Sequence, residues 1–152
     1  MKQRLNVVSA WRKGFTLIEL LVVIGIIGIL AAVVLIAVNP GRQFASARDT
    51  QRRADLYSIT NAVYQYATEN NGNVPTTITT ARQIICYNPT GCPAGFSDLT
   101  ILVPTYIAAM PADPSTGTQA NTNYSIWRDA NGRVVATASG ELNPGTVIQV
   151  TR

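Results

Sequence analysis

Hydrophobic positions are spread very unevenly along this chain. From Phe15 to Val38, in the run FTLIELLVVIGIIGILAAVVLIAV, only Thr16 and Glu19 are polar, and no period separates an inner face from an outer one. As a helix this run predicts a rod about 36 Å long, enough to cross a bilayer core of about 30 Å with some tilt. Asn39-Pro40-Gly41 then interrupts the pattern. Pro40 lacks the N–H and clashes one turn back, at about 3 kcal/mol in a regular helix. The result is either a chain break or a kink in one long helix. A different pattern follows. From Arg42 to Asn71 there is no Gly or Pro, and Leu56, Ile59, Val63, Tyr66 and Ala67 recur at three- and four-residue steps, which predicts one apolar helical face. Arg48, Arg52, Asp55 and Glu69 are read as off that stripe. Asp49 and Arg53 make an acid-to-base pair four apart, worth about 0.2–0.5 kcal/mol. Asn70-Asn71-Gly72 ends the helix.

Past Gly72 the helical period is gone. Residues 73–95 read as loop. Ser97 or Asp98 is placed to cap a short helix with Leu99, Leu102 and Val103 inward, and Pro104, Pro111 and Pro114 prevent any long element. NYSIWRD and RVVATAS alternate apolar and polar positions around Ala130-Asn131-Gly132, a hairpin signal. GTVIQVT supplies a third strand. Tyr124, Ile126, Val134 and either Val147 or Ile148 are the expected inward set, packed on Leu56, Ile59 and Val63. Trp127 is expected on a packed sheet face. The predicted fold class is α+β: a long N-terminal helix, membrane-spanning in its first half and amphipathic in its second, packed on a small antiparallel sheet of about three strands. The expected organisation is a leader at 1–14, a transmembrane and assembly helix at 15–38, an amphipathic stem helix at 39–71, and a globular head at 72–152.

Charge refines this picture. The chain carries a formal +4, but Lys2, Arg4, Arg12 and Lys13 supply that excess. From Phe15 onward eight Arg face eight acids, so the folded part shows no basic stripe of the kind a nucleic-acid surface needs, and no nucleic acid is assigned as partner. Arg42, Arg48, Arg52 and Arg53 are read either as a contact to anionic headgroups or as a solvated helix face. The same four balance the four cations before the span, so the charge rule for orientation ends in a tie.

Candidate chemistry is sparse. The chain has no His, the commonest general base and metal ligand, and shows no nucleophile context or phosphate-binding glycine loop. It is read as not an enzyme, with no cofactor. Cys86 and Cys92 enclose CYNPTGC. A bridge there would stabilise by about 2–2.5 kcal/mol and fit an oxidising compartment. Two free buried thiols are the alternative. Two Cys without His supply only half a structural zinc shell, so no metal is expected there. Asn123-Tyr124-Ser125 matches a glycosylation sequon.

A secretory signal peptide is one alternative, with Ala31 and Ala32 small enough for a cleavage site, but the run is longer than the 7–15 residues of a secretory h-region. A plain signal anchor is a further alternative. The stretch KGFTLIE at 13–19, preceded by a short basic leader and followed by about twenty apolar residues, resembles the N-terminus of the type IV pilin superfamily. That resemblance implies cleavage by a prepilin peptidase between Gly14 and Phe15 on the cytoplasmic side, N-methylation of Phe15, and an assembly role for Glu19. It also implies a single-pass precursor in the inner (cytoplasmic) membrane with its head outside, in contact with membrane lipid and an inner-membrane assembly platform. Later the subunit would form a periplasmic or cell-surface filament with copies of itself. L-V-P-x-Y-I-x-x-M-P-x-D-P at 102–114 resembles the segment before the sheet in major pseudopilins of type II secretion. Some members of that group bind calcium in a nearby loop. Here Asp113, with Ser115 and Thr116, is the one obvious donor, and calcium takes six to eight oxygens, so no metal site is assigned.

A charged side chain deep in a bilayer costs about 2.5–3.5 kcal/mol on insertion scales. Two readings account for Glu19. It snorkels to the headgroups, or it pairs with the cationic amine that cleavage would create on Phe15 of a neighbouring subunit. Gly28 and Ala32 form a small-xxx-small pair that lets helix backbones approach. The function expected is a structural subunit of a type IV pilus-like filament, either a pseudopilin or a surface pilin serving adhesion, motility or DNA uptake. A membrane-anchored binding module is the third reading.

Overall fold

The computed structural model describes residues 14–152; the leader's Lys2, Arg4, Arg12 and Lys13 lie outside the described residues. The chain forms two compact units, one running to Pro40 and the other from Gly41 to Arg152.

The first unit is a single helix, α1, at Leu17–Val38. It is apolar on all sides and none of its residues is buried. It ends at Asn39, whose φ of 46° is left-handed. The residue before a proline is driven out of the right-handed helical region, and Asn is among the few non-glycine residues that visit the left-handed one. Pro40 then opens α2, Pro40–Glu69, at the first helical position, where its missing N–H removes no intrahelical bond. The helical run is thus interrupted at the single residue Asn39.

The second unit packs α2 against a sheet built from β1 (Gln83–Cys86), β2 (Ser97–Asp98), β3 (Ser125–Arg128), β4 (Val134–Ser139) and β5 (Val147–Thr151), in the order β2-β1-β3-β4-β5. The fold is α+β. The sheet, however, is five-stranded and mixed. The expected three strands are β3, β4 and β5, paired antiparallel. β1 pairs antiparallel with β3, and β2 pairs parallel with β1. β1 lies in the stretch read as loop. Four residues, QIIC, are too few to display an alternating pattern, and they become a strand because Ile85 N donates to Tyr124 O and Ile85 O accepts from Thr122 N in the segment leading into β3. The short helix expected after Ser97 and Asp98 is replaced by β2 and a single 3-10 turn at Thr100–Leu102. The Asp98 carboxylate still accepts from Thr100 N at 2.9 Å. Leu99 and Leu102 are buried, and Val103 is packed against the core from its edge.

Leu56, Ile59 and Val63 share one core with Tyr124, Ile126, Val134 and Ile148. Of the two candidates Ile148, not the 57 % exposed Val147, faces inward, together with Val150. α2 ends with Asn71 and Gly72 both at positive φ and Gly72 N bonded to Ala67 O at 2.8 Å, a helix stop of the Schellman kind. The hairpin at Ala130-Asn131-Gly132 is present. Asp129 organises it, its Oδ1 accepting from Asn131 N and Arg133 N at 2.9 Å each. Trp127 is half-buried on the sheet, with the Arg82 guanidinium 5.7 Å from its ring centre. In the sequon, Asn123 donates from Nδ2 to Thr116 Oγ1 at 2.9 Å, while Tyr124 and Ser125 are buried.

Candidate functional site

The N-terminal segment is built around one polar cluster. Thr16 is the N-cap of α1, in extended conformation, and forms a capping box with Glu19. Glu19 Oε2 accepts from Thr16 N and from Thr16 Oγ1, each at 2.8 Å, and Glu19 N donates to Thr16 Oγ1 at 3.2 Å. The first turn of any helix leaves N–H groups without intrahelical partners, and the box satisfies two of them reciprocally. The carboxylate also sits at the helix end whose partial charge is positive. The sequence logic that singles out Glu19 as costly thus meets a local answer: its oxygen is engaged within its own first turn. Both candidate readings of Glu19 addressed partners elsewhere, and neither included Thr16. The signal was present as T-x-x-E opening an apolar run.

Gly14 and Phe15 precede this cap. Both are exposed, and a side chain built on Gly14 would meet nothing within 4 Å. Gly28 and Ala32 are likewise exposed, with nothing within 4 Å of a Cβ placed on Gly28. At 22 residues α1 is long and apolar enough to span a membrane, and it fits a membrane-anchored precursor. A helix that is apolar all round is stable in lipid or inside a bundle, not alone in water.

The head holds a second polar cluster, which the sequence reading missed. Arg52 is 4 % exposed. Its Nε and Nη2 donate to Asp113 Oδ2 and Oδ1 at 2.6 and 3.2 Å, its Nη1 to Asp49 Oδ1 at 2.8 Å and Glu141 Oε2 at 3.0 Å, and its Nη2 to Ser115 Oγ at 3.0 Å. Arg48 grips the same Glu141 through both carboxylate oxygens, Nε to Oε2 at 2.8 Å and Nη2 to Oε1. Asp49 in turn accepts from the amides of Glu141 and Leu142 at 2.8 and 2.9 Å. One guanidinium therefore ties α2 to the loop after Met110 and to the loop joining β4 and β5. Arg48 and Arg52 spend their guanidinium groups on carboxylates of the head, and Asp49 pairs with Arg52, three residues on, rather than with Arg53. Asp55, read as off the apolar stripe, is buried and accepts from Tyr124 Oη at 2.7 Å and Gln51 Nε2 at 2.7 Å. Both oxygens of Asp113, and Ser115 Oγ, are turned to Arg52.

The charges respond accordingly. The Arg48 guanidinium, with Arg52 behind it, holds the Glu141 carboxyl at about 2. Burial pushes Asp113 up, but Arg52 and the amides of Ser115 and Thr116 outweigh it and hold the group below the usual carboxylate range. Asp49 is lowered in the same way by the amides of Glu141 and Leu142 and by Arg52, against burial. Burial, then the neighbouring Asp55, raises the Tyr124 hydroxyl well above an ordinary tyrosine. At neutral pH these shifts keep the three carboxylates ionised against Arg48 and Arg52, an arrangement that supports cohesion. Cys86 and Cys92 are joined through their sulfurs, closing the loop that follows β1.

Residues 12–35 match the family model described as the prokaryotic N-terminal methylation motif. No curated protein and no solved structure matches the chain. The match, the capped apolar helix and the exposed Gly14-Phe15 step together support a type IV pilin-like prepilin segment at the N-terminus of this chain.

Proposed function

We propose that this chain is a structural, non-enzymatic subunit of a type IV pilus-like filament, a pseudopilin of a type II secretion-like system. In this reading a prepilin peptidase cuts between Gly14 and Phe15, the new Phe15 terminus is methylated, and α1 carries the subunit from the inner membrane into a helical polymer with the head outward. The observation that carries the reading is the methylation motif at residues 12–35 running into a helix with no buried residue. Such a helix requires partners, and copies of itself in a bundle supply them. Within the filament class, the pseudopilin is favoured over the surface pilin by the 102–114 segment, LVPTYIAAMPADP, and by the small head. The head's main carboxylate cluster, Asp49, Asp113 and Glu141, is taken up by Arg48 and Arg52, which weighs against a membrane-anchored module that captures a cation through those groups.

Glu19 serves assembly in this scheme. A carboxylate that leaves the Thr16 box to meet the Phe15 amine of a neighbour exchanges one set of donors for another, and fixes the register between rods. Removing one partner of such a pair leaves a buried charge uncompensated. The reading is tested by mass spectrometry of the protein isolated from membranes. It requires a chain beginning at Phe15 with one added methyl. A chain that keeps Met1, or one cut after Ala32, would rule it out.

A further inference from the structure

Strand β5 is the last strand of its sheet, and only one of its sides is used. Val134 and Arg152 exchange backbone bonds at 2.9 and 3.0 Å, Gly140 N donates to Thr146 O at 2.9 Å, and Ala136 and Ala138 lie opposite Val150 and Ile148. Bonded and non-bonded pairs alternate along an antiparallel ladder. Val147, Gln149 and Thr151 therefore turn their N–H and C=O groups away from β4. Among the described residues no backbone group receives them, and all three residues are exposed. Natural edges are commonly blocked by Lys, Pro, a bulge or an inward charge. The strand VIQVT has neither Pro nor any charge, and its register with β4 is unbroken.

Beside this edge lies a cleft of about 530 Å³, whose opposite wall is formed by Ser46, Asp49, Thr50 and Arg53 of α2; the Asp49 carboxylate is already taken by Arg52 and the amides of Glu141 and Leu142, which leaves Arg53 as the unpaired charge of that wall. Arg53 is exposed and, unlike Arg48 and Arg52, makes no ion pair among the described residues. Arg152 adds a second cation at the end of the strand.

We propose that the free edge of β5 and the cleft beside it are a strand-addition site for an extended, acid-bearing segment of a different polypeptide. The guest's main chain completes the ladder at Val147, Gln149 and Thr151, and alternate side chains enter the cleft, where an acidic one meets Arg53. Charge decides against a second copy as guest. Antiparallel pairing of two β5 strands about Gln149 would satisfy the backbone equally well, but it would bring the two clefts, each with its Arg53, onto one seam, and like charges across an interface are unfavourable. The opposite edge, β2, has only two residues, and its Asp98 carboxylate is taken by Thr100, so it is no match as a donor.

The test uses the full chain in detergent micelles and two blocked peptides, Thr-Val-Glu-Val-Thr-Val-Thr and the same peptide with Lys for Glu. The Glu peptide should slow amide exchange at Val147, Gln149 and Thr151 and bind tighter than the Lys peptide by about tenfold or more. Arg53→Glu, on an exposed helix face, should invert that order. Gln149→Pro should abolish binding while β4 and β5 stay paired, because the N–H it removes points outward and edge strands tolerate Pro there. Unchanged exchange at saturating peptide, equal affinity for the two peptides, or an Arg53→Glu chain with unchanged preference would each overturn the proposal. So would crosslinking of Gln149→Cys chains to one another through β5.

Discussion

Arg52 on α2 and Asp113, 61 residues further along the chain, meet through two hydrogen bonds, Nε to Oδ2 at 2.6 Å and Nη2 to Oδ1 at 3.2 Å. Both side chains are withdrawn from solvent, at 5 % and 9 % exposure. The pair is the centre of the cluster that also holds Asp49, Ser115 and Glu141.

Replacing Arg52 with Met keeps much of its volume and removes its charge. Asp113 and Asp49, both partly buried, then keep only backbone amide donors and lose the guanidinium that faces them. Breaking a buried pair from one side typically destabilises by about 3–5 kcal/mol, and the head should lose stability on that scale in a denaturant titration. A loss below about 1 kcal/mol, the level of a surface ion pair, would show that the cluster does not hold the head together.

Acid should loosen the same cluster. Glu141, Asp113 and Asp49 have folded-state values below their ordinary ones. A depressed carboxyl contributes stability that is fully present above its unfolded value and is lost as pH falls through the folded one. For Glu141 that window runs from the ordinary 4.5 down to about 2. The unfolding midpoint should be flat above about pH 5 and fall below it, and Glu141→Gln should flatten the fall. A midpoint that is constant down to about pH 2.5 would contradict the assignment.

Gly117 is a steric requirement of this site. Its amide bonds to Asp113 O at 2.9 Å, and a Cβ there would lie 2.3 Å from Asp113 N and 2.8 Å from Asp113 O. Gly117→Ala must open the turn that presents Asp113 to Arg52. A destabilisation of about 1–3 kcal/mol is expected, as for other overpacked sites, with the acid-sensitive part of the stability profile reduced. A neutral substitution would mean the turn relaxes freely.

Glu19→Ala should enter the membrane at normal levels and fail to form filaments. Insertion is followed by membrane fractionation and assembly by sedimentation or imaging of sheared fibres. Normal fibre yield would remove Glu19 from assembly and leave it as a helix cap.

The apolar rod, the helix stop at Asn70-Asn71-Gly72 and the C-terminal strands were legible because each is longer than the period that reveals it. β1 was not, since four residues between polar stretches carry no period and its pairing is decided by a strand some forty positions away. The charged cluster was half legible. Stepping back one turn from Leu56 along the buried stripe lands on Arg52, and a charge at an inward position calls for a buried partner. Nothing in the sequence says that the partners are Asp113 and Glu141, because those contacts span 61 and 89 residues. The Thr16–Glu19 box was readable from T-x-x-E alone, and the attention drawn to a carboxylate in a greasy run hid its simplest local bond.

Asn39 breaks the chain's helical ladder where the greasy rod stops and the water-facing domain begins. The residues from Gly41 onward enclose their own apolar interior. A change in what surrounds the rod, from lipid to a ring of sister rods, therefore need not reopen anything beyond that joint. Polymer growth on this plan would add finished beads to a lengthening string, with folding completed before addition.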